Sequence, residues 1–363
     1  MSIVFVTNIP APYREKIHEI VSRNLDRPYS VVFCAPIEPN RKWRFPFGDY
    51  NHIFLTSKAI QIKGRQIYLW SNILNVLKME DPSTVVIGGF SMPMLIAYCW
   101  AKFKGRKTIA FSDAHLEFEK PFSKLHKALR KLAYPRMDAY VGASLKTLDL
   151  FRHYGAADDK LFQSHLCADN EVYSRNYVPP SQRNYDIILC GQFVKGKLFD
   201  FSLRVIERMI EKKKDLTVKL VGDGPLRSEI LSKIESLGVK YTYRGFIEPT
   251  KLSPEYSSAR ILFFPTVRDA WGVVANEACA AGTPVLTCEH AGVAHELIKD
   301  NINGFVLPLD EDVWAKNALE LLTSTDALDK FSDNALDQVK AYNYDNAASG
   351  IIAAINRSTR DLN

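Results

Sequence analysis

Residues 262–305 read LFFPTVRDAWGVVANEACAAGTPVLTCEHAGVAHELIKDNINGF. The apolar run Ile261 to Phe264 has the length of a buried strand, Pro265 stops it, and small residues from about Gly272 to Ala281 read as a helix. Gly282-Thr283-Pro284 ends that helix, Val285 to Thr287 reads as the next strand, and the loop at Ala291-Gly292 leads to a further short helix. Strand, loop, helix, strand is the repeat of a parallel sheet. Ligands of open parallel sheets sit outside the carboxyl ends of the strands, where loops and helix amino ends converge. Asp269 and Glu277 both fall in that zone.

The same alternation extends to both sides. Downstream of Asn184 the strand candidates are Tyr185 to Cys190, Thr217 to Val221, Tyr241 to Tyr243, Arg260 to Phe264, Pro284 to Thr287 and Phe305 to Leu307. Upstream they are Ser2 to Thr7, Tyr29 to Ala35, His52 to Leu55, Thr84 to Ile87, Thr108 to Phe111 and Ala139 to Val141. Helical patterns at about 66–79, 92–104, 121–134 and 144–154 alternate with the upstream set, which predicts an α/β class with helices covering parallel sheets. Between the halves, Arg175 to Asn184 holds Pro179 and Pro180 among polar residues and reads as a linker. The expected domains are therefore residues 1–175 and 185–342, with an Ala- and Ile-rich helix in the tail 343–363.

A chain of 363 residues exceeds what one core usually serves, and a hydrophobic fraction of 47% is ample for two. A net charge of +6 suits an anionic substrate or an acidic membrane surface. No zinc-like spacing or nucleic-acid motif accompanies it, so nucleic acid is not an expected partner. The six cysteines are scattered, several within apolar runs, and without a C-x-x-C pair they read as small buried residues of a reducing compartment. Met1 to Arg14 lacks a basic leader and a cleavage site, which predicts a cytoplasmic protein. Ser83 to Ala101 is uncharged, but Gly88, Gly89, Ser91 and Pro93 interrupt it and argue for strand, glycine loop and helix instead of a membrane span.

Two loops carry further chemistry. Gly191-Gln192-Phe193-Val194-Lys195-Gly196-Lys197 follows the first downstream strand, where a cation is placed to neutralise a diphosphate. Gly222-Asp223-Gly224-Pro225 makes a tight turn after Leu220-Val221. Taken singly, Lys195 and Lys197 would be ordinary surface lysines, and Asp269 and Glu277 ordinary solvated carboxylates.

Taken together, Pro265, Asp269, Gly272, Glu277-Ala278, Gly282 to Val285, Gly292, Glu296 and Asn303 to Phe305 resemble the donor signature of family 4 retaining glycosyltransferases. In that signature two acidic residues are separated by seven others. The resemblance runs over nearly the whole chain, is strongest from 185 to 307, and falls in a bacterial polysaccharide-assembly branch whose members carry a Pro-Tyr-Arg element, here Pro12 to Arg14. It implies a GT-B fold: two Rossmann-like domains facing across a cleft, the first for the acceptor and the second for the nucleotide sugar, with the last helix crossing back to the first domain. It implies that Lys197 and Gln192 take the diphosphate, that Asp269 with the amides of Ala270, Trp271 and Gly272 holds sugar hydroxyls, and that Glu277 holds the ribose. Gly222 and the backbone near Ile247 would border the nucleotide, and His115, with Asp113 as the fallback, would face the donor sugar. His115, Lys197 and Asp269 are thus the expected catalytic residues.

The chain departs from the family in two places. Asp269 stands where Glu is usual, and Gln192 stands where Arg is common, leaving Lys195 or Arg14 to supply the missing charge. The implied activity is metal-independent transfer of a hexosyl group from a nucleotide-diphosphate sugar to a hydroxyl of a lipid-linked glycan. A sugar-nucleotide epimerase of the same fold and a catalytically silent nucleotide-sugar-binding protein remain alternatives. Asp310-Glu311-Asp312 spells the D-x-D that some glycosyltransferases use for a metal, but it directly precedes a helical pattern, and helix capping explains it better.

Lys120 to Arg136 carries six Lys or Arg and no acid, with Phe122, Leu125, Leu129, Leu132 and Ala133 on one helical side. Such a helix is either core-facing with a solvated basic back or a peripheral anchor for anionic lipid. Arg41-Lys42-Trp43-Arg44-Phe45 adds a basic aromatic loop in the same half.

Overall fold

The computed structural model describes residues 2–38, 46–62 and 65–359; the basic loop at 41–45 lies outside them. The chain divides into two compact units, residues 1–166 with 344–363, and residues 167–343.

The first unit begins with β1 (Ile3–Thr7), a β-branched run, followed by α1 (Pro12–Asn24), which starts on a proline whose missing N–H costs nothing there. Then come β2 (Tyr29–Phe33), β3 (Asn51–Phe54), β4 (Ser57–Ile62), β5 (Arg65–Ser71), α2 (Ile73–Glu80), β6 (Thr84–Ile87), α3 (Met92–Phe103) and β7 (Lys107–Ser112). The short α4 (Leu116–Glu119), α5 (Lys124–Ala133), β8 (Ala139–Gly142), α6 (Leu145–His153) and β9 (Leu161–Gln163) complete it. Seven strands form one sheet in the order β3-β2-β1-β6-β7-β8-β9, all pairs parallel. Strand β1 therefore lies between β2 and β6, and the winding direction reverses beside it.

β4 and β5 form a separate antiparallel hairpin, a correction to the helix expected over 66–79. Tyr68 is buried while Ile67 and Leu69 are exposed, the period of two that a strand imposes. Only the later part, from Ile73, is helical.

The second unit runs through α7 (Asn170–Ser174), β10 (Tyr185–Cys190), α8 (Phe199–Lys212), β11 (Thr217–Val221), α9 (Arg227–Ser236), β12 (Lys240–Tyr243), α10 (Ser253–Ser257), β13 (Ala259–Phe264), α11 (Val273–Ala280), β14 (Val285–Thr287), β15 (Gly304–Val306), α12 (Glu311–Thr323) and α13 (Thr325–Val339). Its six strands are parallel in the order β12-β11-β10-β13-β14-β15. Here the reversal flanks β10. The break between the units falls at 166/167, upstream of the proline-rich stretch expected to be the linker. That stretch belongs to the second unit because Arg183 is buried and its guanidinium donates to the carbonyls of Val178, Ala259 and Ala281 and to Thr283 Oγ1.

The short helix expected after Gly292 is also absent. His295 and Asn301 both take positive φ, at 64° and 59°, which breaks any helical run, and the segment is held by isolated bridges and by the Asn303 side chain bonded to Leu297 O and Lys299 N. At 310–312, Asp310 caps α12, its Oδ1 accepting the amides of Asp312 and Val313.

The last helix, α14 (Tyr344–Thr359), returns to the first unit and packs on α1, β8 and β9. Arg357 pairs with Asp159. Gly350 sets how closely this helix approaches β9, since a Cβ there would stand 1.7 Å from Gln163 O. Gly350→Ala is accordingly expected to destabilise the chain by roughly 1–3 kcal/mol through overpacking, despite the helix propensity gained, as measured by urea denaturation.

Candidate active site

Strands β10 and β13 are neighbours, so the loops leaving their carboxyl ends meet. The first carries Lys197 at the end of a 3₁₀ turn; the second carries Asp269. Thr266 Oγ1 and the Val267 amide both donate to Gly196 O at 3.0 Å, fastening one loop to the other. Lys197 Nζ then donates to Asp269 Oδ2 and lies 5.3 Å from the centroid of the Phe264 ring. Both side chains keep partial access to solvent, 30% for Lys197 and 17% for Asp269.

Asp269 is held from its other side as well. Its Oδ1 accepts the Trp271 amide at 3.2 Å, and its backbone bridges to the next loop through His290 O and the Gly292 amide. Trp271 is fully buried, its Nε1 donating to Asn276 Oδ1 at 2.5 Å, so this residue anchors the turn from inside and only its backbone belongs to the site. Gly272 follows with φ at 114°, and a Cβ there would meet the Phe264 ring at 2.4 Å. Glycine is thus required where α11 starts, and the amino end of that helix opens beside Asp269.

Glu277 lies on the second turn of α11 and is 7% exposed. Tyr256 of α10 donates its hydroxyl to Glu277 Oε2 at 2.7 Å and stands 3.1 Å from Cys190 Sγ, at the end of β10. Burial pushes the Glu277 carboxyl up to about 7, against the pull of hydrogen bonds from Tyr256 and from Tyr173 of α7. Tyr256 is not signalled by the sequence pattern, and the stretch Ala168 to Tyr173, which resembles a landmark of one branch of the family, does not by itself tie Tyr173 to Glu277.

The remaining expected residues fall as follows. Gln192 is exposed on the loop after β10. The Gly222 amide donates to Gly245 O at 2.7 Å, which stacks the turns after β11 and β12, and Ile247 lies half-buried just beyond. Ala270 sits between Asp269 and the buried Trp271, with its carbonyl close against Gly292. The second unit therefore brings Lys197, Asp269, Gly272 and Glu277 to one sheet edge. His115 belongs to the first unit, buried at the start of α4 beyond the end of β7, with its ring edge-on to Phe118 at 4.8 Å.

Residues 184–324 match the family model described as Glycosyl transferases group 1. Over that segment, which holds Lys197, Asp269 and Glu277, the chain is similar to the group 1 glycosyl transferases. Among curated relatives, the glycosyltransferase MJ1607 of Methanocaldococcus jannaschii is 27% identical over 52% of this chain and 48% of its own length. D-inositol 3-phosphate glycosyltransferase of Corynebacterium diphtheriae is 26% identical over 50% and 46%. The chain thus spans about half the length of these relatives. Lipopolysaccharide glucosyltransferase WaaG of Escherichia coli is 24% identical over 75% of this chain and 76% of its own. Two solved structures share the fold over the whole chain: sucrose-phosphate synthase from Thermosynechococcus elongatus has a TM-score of 0.76 at 13% identity, covering 100% of both chains. Anabaena HepE in complex with UDP-glucose has 0.72 at 17%, covering 99% of this chain and 100% of its own. The fold is GT-B, with two Rossmann-like units.

Because the folded Glu277 carboxyl holds its proton to about pH 7 and the unfolded one only to about 4.5, folding takes up a proton between those values. Stability from this group is present below the unfolded value and lost as pH rises through the folded one. The difference in unfolding free energy between wild type and Glu277→Gln should therefore fall by roughly 3 kcal/mol from acid to neutral pH, read by urea denaturation across that range.

Proposed function

We propose that the chain is a retaining, metal-independent glycosyltransferase that moves a hexosyl group from a nucleotide-diphosphate sugar to a hydroxyl of a lipid-linked glycan in cell-surface polysaccharide assembly. The observation that carries this reading is the Lys197–Asp269 contact at the start of α11, with Glu277 buried on the same helix. Departure of a nucleoside diphosphate builds negative charge, and an ammonium beside a helix amino end stabilises it. Lys197 would exchange part of its contact with Asp269 for the diphosphate, freeing Asp269 to accept from sugar hydroxyls. Glu277, as carboxylate, would accept from the ribose. Gln192, Gly222 and Ile247 would border the nucleotide. The names of two relatives, a lipopolysaccharide glucosyltransferase and a protein crystallised with UDP-glucose, support a sugar nucleotide as donor.

Lipid as a partner rests on α5. Leu125 and Leu132 are 69% and 58% exposed, not core-facing, and Lys124, Lys127 and Lys131 flank them in the open. Arg130 turns inward, pairing with Glu119 at 3.0 Å and covering the Phe90 and Phe122 rings. An exposed apolar stripe bordered by lysines suits the cytoplasmic face of an anionic membrane. Among the described residues no helix is long and apolar enough to cross one.

Incubation with a panel of sugar nucleotides tests the activity: transfer or slow hydrolysis upholds it, isomerisation points to an epimerase, and binding without turnover to a silent module. Lys197→Ala should lower kcat by about two to three orders of magnitude with little change in KM, and Glu277→Ala should chiefly raise KM for the donor. Unchanged kinetics in both removes these roles. For the membrane, flotation should recover wild type with anionic vesicles at low salt, less at moderate salt, and should fail for Leu125→Ser/Leu132→Ser.

A further inference from the structure

Glu277 sits within a series of hydrogen bonds whose hydrogens can be counted. On one side Tyr256 Oη lies 2.7 Å from Glu277 Oε2 and 3.1 Å from Cys190 Sγ. A phenol carries one hydrogen. Spent on the carboxyl, it leaves the phenol oxygen to accept from the Cys190 thiol, which burial keeps protonated by pushing it up to about 12.

On the other side the Tyr173 hydroxyl donates to Pro249 O at 3.0 Å and also bonds the Glu277 carboxyl. With its one hydrogen committed to a carbonyl, which only accepts, Tyr173 has to accept from Glu277. The carboxyl must then carry a proton of its own. Cys190, Tyr256, Glu277 and Tyr173 each donate to the next, the series ends at Pro249 O, and it is complete only while Glu277 is neutral. Tyr256, Tyr173 and Glu277 are 0%, 3% and 7% exposed, so bulk water does not replace a missing hydrogen.

Ionising Glu277 breaks the series at one place: Tyr173 turns its hydrogen to the carboxylate and releases Pro249 O. Pro249 opens the 3₁₀ turn Pro249–Lys251, two residues beyond Ile247, so the released carbonyl lies at the foot of the loop expected to border the nucleotide. Burial acts in the same direction as the count, pushing the carboxyl up to about 7. Charges on the surrounding elements have partners of their own. Glu255 of α10 is paired with Lys219, Arg260 of β13 with Asp186, Asp337 of α13 with Lys340, and Lys197 with Asp269. Glu171 of α7 and Asp333 of α13 line a groove at the far end of α11, beside Ala280.

We propose that Tyr173 is a positioning residue for the ribose carboxylate: before the donor binds it accepts the Glu277 proton, and donor binding expels that proton. The Glu277 O–H bond breaks, its proton passes to the buffer, Tyr173 turns from Pro249 O to the carboxylate, and ribose hydroxyls donate to the freed oxygen. This rests on the transferase reading above and adds how its donor site is set.

Infrared spectra of the full chain test the first half without ligand. The wild-type minus Glu277→Gln difference should show a protonated-carboxyl band at about pH 6 that is gone by about pH 9. Tyr173→Phe should move that band to higher frequency, because the carboxyl proton has lost its acceptor. Calorimetry with UDP-glucose, GDP-mannose and ADP-glucose at about pH 6, in buffers of different ionisation heat, tests the second half. Wild type should release roughly one proton per donor bound, and Glu277→Gln none. Donor Kd in wild type should weaken about tenfold per pH unit below about 7. Tyr256→Phe should shift that profile up by about one pH unit, whereas a merely structural tyrosine would weaken binding equally at every pH. Absence of the carboxyl band, a band unmoved in folded Tyr173→Phe, or donor binding without proton release would overturn the proposal. Failure of every nucleotide sugar to bind while the band behaves as expected sinks the transferase reading and leaves the Glu277–Tyr173 bond standing; binding without the band does the reverse.

Discussion

Lys197 and Asp269 are 72 residues apart in sequence and in direct contact in space, and the parallel sheet is what joins them. Parallel neighbours cannot be linked by a hairpin, so each strand is followed by a crossover, and every catalytic-length loop emerges at the same carboxyl edge. With β10 and β13 paired in the middle of the sheet, the cation from one loop and the carboxylate from the other have nowhere else to go. Moving either strand to the sheet margin would separate them.

The pair keeps partial access to solvent, and that degree of exposure suits the chemistry proposed for it. A fully buried lysine and aspartate would owe each other their whole desolvation cost, and neither could be released to a ligand without leaving a bare charge. A fully exposed pair would be worth little and would hold no geometry. Here the backbone amide of Trp271 and the fastening of both loops through Gly196 keep Asp269 and Lys197 in place whichever partner the ammonium adopts. Glu277 is the opposite case. Among the described residues it is held by the Tyr256 and Tyr173 hydroxyls and by no ion pair, and burial makes its ionisation costly. Stability is given up at that position, which is the expected mark of a site residue.

The alternation of strands and helices was legible because periodicity and punctuation agree in this chain: Tyr185–Cys190, Thr217–Val221 and Thr84–Ile87 carry apolar runs bounded by turn residues and appear with the ends the sequence indicates. The β4–β5 hairpin was not, because a short run such as QIYLWS satisfies helical and strand patterns alike and only burial of Tyr68 against the core separates them. The domain break falls elsewhere because two prolines mimic a linker, while Arg183, whose three hydrogen bonds to Ala259, Ala281 and Thr283 tie that stretch to the second unit, looks like any other arginine in sequence. Lys197, Asp269 and Glu277 could be singled out from the motif; the contacts of Tyr173 and Tyr256 with Glu277 could not, since they form only through the fold.

The two sheets use a similar electrostatic device, with the aspartate after the strand next to the centre in the second sheet and one strand farther out in the first. Each winds outward from a central strand, β1 or β10, and at each reversal point a cation that follows the central strand meets an aspartate that follows a strand farther along. In the first unit the cation is an arginine on a helix, buried and locked by three further acceptors, Ser164 O, Ser164 Oγ and His165 O; in the second it is a lysine on a loop, bonded to Asp269 and partly open to solvent. The difference follows from the side chains. A guanidinium has a fixed fork and keeps its charge when buried, so it serves to shape a cavity, whereas a flexible ammonium can follow charge as it develops. An arginine at 197 would therefore bind a diphosphate more rigidly without tracking its departure, and a lysine at 14 would lose the fork that engages Asp113 and Ser164 at once.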